Sequence, residues 1–112
     1  MIFCVVKQCA GVEFLSTPNF FKFCCCFIYC GKTWCVAQTQ ASEQKLQQVL
    51  DFVCGQLNCK EIQPGGFCFN PDTVRNHASY AIDLNFQING VCDFSYATHS
   101  ITDPSYGECV YP

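Results

Sequence analysis

The chain has 112 residues, half of them hydrophobic, only 13% charged, and a net charge of −3. That length allows one domain, and from Thr33 onward Lys45, Lys60 and Arg75 face eight carboxylates, which argues against a surface that tracks phosphates, so nucleic acid is not an expected partner. Twelve cysteines point to an oxidising compartment and a disulfide framework rather than a reduced cytosolic chain.

Residues 1–31 stand apart. They hold Cys4, Cys9, Cys24, Cys25, Cys26 and Cys30 and two apolar pieces, Met1–Val6 and Phe20–Cys30. The second contains an apolar run, Phe23 to Cys30, short enough for a signal-peptide core and too short to span a bilayer as a helix. Lys22 precedes it. Lys7, Glu13 and Pro18 lengthen the region before it, and bulky Ile28 and Tyr29 make a poor cleavage site. The segment reads as signal-like or as an aberrant N-terminus. The Cys24–Cys26 triplet reads as apolar filler before it reads as a metal or lipidation site.

Residues 32–112 form the expected domain. About 80 residues is a marginal core, and covalent staples commonly make up the deficit. Thr33–Val36 suits a short strand. Ser42 is a good helix N-cap. Leu46, Val49, Leu50 and Val53 follow at helical spacing, predicting an amphipathic helix over about 43–55 that Gly55 can end. Cys54 and Cys59 are close enough for a local bridge across the helix exit. Gln63–Gly66 is a turn, and Phe67–Phe69 reads as a brief extended piece. Asn70-Pro71-Asp72 reads as a second helix start, with Asn70 as N-cap, Pro71 at the first helical position and Asp72 near the positive end of the dipole. Val74, Ala78, Ala81, Ile82 and Phe86 mark its apolar face to about Gln87, with Asn89-Gly90 as the stop. A compact tail from Cys92 carries Tyr96, Tyr106, Cys109 and Tyr111.

The six domain cysteines, Cys35, Cys54, Cys59, Cys68, Cys92 and Cys109, leave fifteen pairings open by spacing alone. No CxxC pair occurs, and neither His77 nor His99 lies at finger-like spacing from a cysteine pair, so no metal site and no cofactor are expected. A glycosidase needs two carboxylates set across a cleft. The eight here are scattered over helix starts and turns, and no catalytic residue is expected. Lipid-transfer proteins use adjacent CC and CxC pairs, which are missing from Cys35 onward.

Five motifs carry a resemblance: TWCVAQ at 33–38, QPGG-x-CFNP at 63–71, HASYA at 77–81, CDFS at 92–95 and TDPSYGECVY at 102–111. Together they resemble the plant X-eight domain, also called carbohydrate-binding module family 43, found in plasmodesmal callose-binding proteins and on some endo-1,3-β-glucanases. The resemblance runs from Lys32 to Tyr111. It implies an α+β, mostly α fold: a small disulfide-stapled domain with two main helices and a short antiparallel sheet. It further implies the bridges Cys35–Cys92, Cys54–Cys59 and Cys68–Cys109, and non-catalytic binding of 1,3-β-glucan (callose), secreted to the cell wall or plasmodesmata. Many relatives end in a linker and a lipid-anchor signal. This chain ends at Pro112, so a membrane anchor is not supported by its C-terminus. A monomer is expected. The alternative is a secreted disulfide-rich structural or protein-interaction module that has lost glucan binding.

A neutral sugar offers hydroxyls at its edge and apolar C–H patches on its faces, so a site needs exposed aromatic rings with polar groups at the rim. Tyr80, next to the apolar stripe, and Phe69 and Tyr106, both in turns, are the expected ring contacts. Asn70 and Asp103 are the expected polar ones, though each also reads as a local cap or turn former. Phe86 reads as core, Trp34 and Phe94 as packed on the bridges, and His77 as a surface or cap-proximal residue.

Overall fold

The structure, a computed structural model, describes residues 2–7 and 27–112; the Cys24–Cys26 triplet and most of the signal-like stretch lie outside the described residues. Two compact units are present, Ile2–Lys32 and Thr33–Pro112. In the first, β1 (Ile2–Lys7) pairs antiparallel with β2 (Phe27–Lys32), Ile2 opposite Lys32 and Lys7 opposite Phe27.

In the second unit the order is β3 (Trp34–Ala37), α1 (Glu43–Cys54), a 3₁₀ turn (Lys60–Ile62), α2 (Val74–Asn89) and β4 (Ala97–Ser100). β3 and β4 form the two-stranded antiparallel sheet, with Trp34 opposite Ser100 and Ala37 opposite Ala97. The Gln38 side-chain amide donates to the carbonyls of Phe94 (2.6 Å) and Ala97 (2.7 Å), fastening the strand ends.

α1 begins where its cap chemistry places it. The Ser42 hydroxyl accepts from the Lys45 amide at 3.1 Å, satisfying an otherwise orphaned donor. Leu46, Val49 and Val53 are buried, and Leu50 packs on their edge. α2 buries Ala78, Ala81, Ile82 and Phe86, as its stripe predicts, and also Tyr80 and Asp83. It runs two residues past the expected end. Gly90 then adopts φ 75°, the left-handed conformation a glycine takes at no steric cost, and its amide returns to the Phe86 carbonyl.

The start of α2 differs from the sequence reading. Asn70 is not the N-cap and Pro71 is not the first helical residue. Thr73 caps the helix, its hydroxyl accepting from the Asn76 amide at 3.1 Å. Asn70 and Pro71 belong to the preceding turn because the Asn70 carbonyl is held by a residue far along the chain, Tyr106. Phe67–Phe69 is likewise a tight turn rather than an extended piece. The Gly66 amide donates to Gln63, Cys68 to Glu61 and Phe69 to Gly66, each through the backbone. A Cβ on Gly66 would collide with the Glu61 carbonyl, so this turn closes only around a glycine.

Three disulfides staple the unit: Cys35–Cys92, Cys54–Cys59 and Cys68–Cys109. The first ties β3 to the exit of α2, the second closes the exit of α1, and the third ties the Phe67–Phe69 turn to the C-terminal tail. Trp34 is buried beside the first bridge. Phe94 is not packed on it: its ring is 61% exposed and meets His99 edge-on at 5.1 Å. The fold is thus the α+β, mostly α domain the sequence implies, with both helices, a short sheet and all three bridges.

A candidate carbohydrate-binding face around α2

The first half of α2 is where distant segments meet. Asn76, the third residue of the helix, donates from its side-chain amide to the Pro71 carbonyl (3.1 Å) and the Tyr106 hydroxyl (2.9 Å). The Tyr106 hydroxyl in turn donates to the Asn70 carbonyl at 2.8 Å. Tyr106 is therefore clamped at its tip while its ring remains 37% exposed. The ring lines a cleft of about 430 Å³ with Val36, Thr73, Arg75, Ser79, Pro104 and Tyr111. The one charge there, Arg75, is engaged: its guanidinium donates to the carbonyls of Gln38 and Ala41, each at 2.6 Å. The cleft offers an aromatic wall and hydroxyls, a lining suited to an uncharged ligand.

Asn70 and Tyr106 are thus brought into direct contact. Phe69 is the chain neighbour of Asn70, but its ring turns toward α1 and stacks, tilted, on His77 at 5.2 Å. Both rings line a second cleft, about 420 Å³, with Gln47, Leu50, Asp51 and Asp72. His77 is half-buried, with Nε2 2.7 Å from the Phe69 carbonyl and 3.9 Å from an Asp72 carboxylate oxygen. It is part of the helix start rather than an open surface residue. Asp103 is exposed and its carboxylate accepts from the Ser105 amide at 2.9 Å, shaping the turn that presents Pro104 and Tyr106. Tyr80 stands apart from these four. It is 7% exposed, packs edge-on against Tyr111 at 5.4 Å, and lines a third cleft.

Burial pushes the Tyr80 hydroxyl above its ordinary range, with Glu61 and Asp83 adding to the rise. Tyr111 is pushed higher still, by burial first and then by Tyr106, Asp83 and Tyr80. Both stay neutral hydroxyls at any physiological pH. Among the described residues, no group of three His, Cys, Asp or Glu side chains is placed to hold a metal ion.

Sequence reasoning did not single out Asn76. A polar residue on a helix carries no local mark of a role, and its partner Tyr106 lies 30 residues away. Asp83 was missed for the same reason. It is fully buried and accepts from the Cys35 amide at 2.9 Å and the Gln87 side chain at 3.2 Å, joining α2 to β3.

Comparison with known proteins places this arrangement. The X8 domain family matches residues 33–99. The major pollen allergen Ole e 10 of Olea europaea is 47% identical over 89 residues, covering 72% of this chain and 72% of the allergen. Plasmodesmata callose-binding protein 2 of Arabidopsis thaliana is 44% identical over 86 residues, 71% of this chain and 44% of that protein. Glucan endo-1,3-beta-glucosidase 12 of the same plant is 45% identical over 87 residues, 71% of this chain but 16% of the enzyme. The chain spans less than half of the callose-binding protein and a small fraction of the glucosidase. The family match covers more than half of the chain, the allergen is 47% identical across most of both chains, and the chain belongs to the X8 domain family.

Proposed function

We propose that this chain binds 1,3-β-glucan (callose) without cleaving it, as a secreted protein of the plant cell wall or plasmodesmata. The observation that carries the reading is Tyr106, a partly exposed ring fixed by Asn70 and Asn76 at the wall of an almost uncharged cleft. A ring already immobilised loses little further freedom when a sugar face stacks on it, so more of the contact appears as affinity. Two relatives carry callose binding in their names, and the match to the glucosidases occupies a small share of each enzyme. Phe69 offers a separate apolar contact in the neighbouring cleft, Asn70 and Asp103 hold the two turns and offer polar groups at the rim, and Tyr80 packs behind the Tyr106 cleft against Tyr111.

The test is retention of the oxidised protein on insoluble 1,3-β-glucan, with cellulose as control. Selective retention is expected. Tyr106→Ala should weaken it about tenfold, the equivalent of about 1.4 kcal/mol, with the far-UV spectrum unchanged. Tyr106→Phe, which keeps the ring and loses the clamp, should fall between. Absence of retention with all three bridges formed would leave the protein-interaction reading in its place.

A further inference from the structure

The third cleft is lined by none of Phe69, Asn70, Asp103 and Tyr106, yet it carries the chemistry of a sugar contact. Phe67 is 64% exposed and Val110 72%. Isolated exposed apolar residues are ordinary. These two, however, line one cleft of about 450 Å³ together with Tyr80 and Pro112, with Glu61 and Glu108 as its carboxylates.

The cleft is rigidly built. The Glu61 carboxylate accepts from the Phe67 amide at 3.1 Å. Gly66 lets the turn close against the Glu61 backbone. Cys68, next to Phe67, is bonded to Cys109, which lies between Glu108 and Val110. The two walls are therefore joined covalently, with Cα atoms 4.7 Å apart.

Its lining limits what it can hold. No cation lines it, which disfavours an anion. A purely apolar occupant would strip water from two carboxylates without replacing their hydrogen bonds. A polyhydroxylated ligand satisfies both requirements, giving its hydroxyls to the carboxylates and a C–H face to Phe67. The cleft also shares a wall with the Tyr106 cleft: Tyr80 lines one, Tyr111 lines the other, and the two rings are packed together.

We propose that the Phe67–Glu61–Glu108 cleft is a second contact for the same glucan chain, engaged by polymers long enough to pass from the Tyr106 cleft over the Tyr80–Tyr111 pair. This rests on the glucan-binding reading. A single short oligosaccharide occupies the Tyr106 cleft alone, and the longer chain gains the second contact as an intramolecular event.

The full chain is titrated with a soluble long 1,3-β-glucan and with a 1,3-β-linked trisaccharide. Phe67→Ala and, separately, Glu108→Gln are expected to weaken binding of the long glucan roughly five- to tenfold, while trisaccharide affinity stays within about twofold. Glu108 is exposed at the rim, so its conservative variant keeps the fold. Unchanged long-glucan affinity in both variants, with the parent protein binding, overturns the second contact and leaves the first. Equal weakening for the trisaccharide overturns the division into two contacts. A parent protein that binds neither ligand overturns both readings together.

Discussion

Tyr111 concentrates the chemistry of single residues in this fold. It is 5% exposed, and its neutral hydroxyl faces Tyr106, Tyr80 and buried Asp83, so ionisation inside the fold is strongly opposed. A phenol whose folded pKa is raised contributes stability that is complete below its unfolded value, about pH 10, and is lost as pH rises beyond it. Tyr80 and Tyr96 are shifted in the same direction, each mainly by burial. The domain should be stable to pH 9 and then lose stability with each further step. Tyr111→Phe should flatten that loss, measured as denaturation midpoints from pH 8 to 11. An identical pH profile for the variant would show that this hydroxyl is not what alkali attacks.

At the scale of elements, α2 organises the domain, and most of its hydrogen bonds to other segments join a side chain to backbone. Arg75 is one such link, its two nitrogens on the carbonyls of Gln38 and Ala41 holding the loop between β3 and α1. Hydrogen bonds from a charged donor to a part-buried carbonyl are worth more than neutral ones, and Arg75→Ala should cost about 2 kcal/mol. In a domain this small that lowers the melting temperature on the order of 10 °C. Arg75→Lys should recover part of it, because one ammonium cannot reproduce a two-pronged contact. The helices themselves were legible in the sequence: Ser42 caps α1, and the stripe Ala78, Ala81, Ile82 and Phe86 lies inside. The start of α2 was not, because Asn-Pro-Asp has every local mark of a helix entry. What displaces it is a bond from Tyr106, and nothing in residues 70–76 announces a partner 36 positions on. The same holds for the candidate site. Residue types could nominate Phe69, Tyr80 and Tyr106, but which of them share a cleft depends on turns whose closure is set by tertiary contacts.

For the whole molecule, the bridges differ in weight because they close loops of different length. Sequence separations are 57 for Cys35–Cys92, 41 for Cys68–Cys109 and 5 for Cys54–Cys59. On the chain-entropy account the two wide loops are worth about 4 kcal/mol each and the short one about 2 kcal/mol. The double variant Cys54→Ser, Cys59→Ser should therefore fold with a lowered melting temperature. Serines in place of Cys35 and Cys92 should leave a chain largely unfolded at 37 °C, read by near-UV circular dichroism. Retention of the full native signal after complete reduction would refute the view that a core this small depends on its staples.

The two wide bridges also overlap along the chain, since Cys68 lies between Cys35 and Cys92, and Cys92 lies between Cys68 and Cys109. Any single peptide bond cut between Cys35 and Cys109 is spanned by at least one of them. A protease that nicks the exposed turn at Gln63–Gly65 or the loop at 101–103 severs the backbone without releasing a fragment. On a gel such a protein would run as one species until a reductant is added, and then as two. Wherever proteases reach it, the singly nicked molecule would still be one covalent particle.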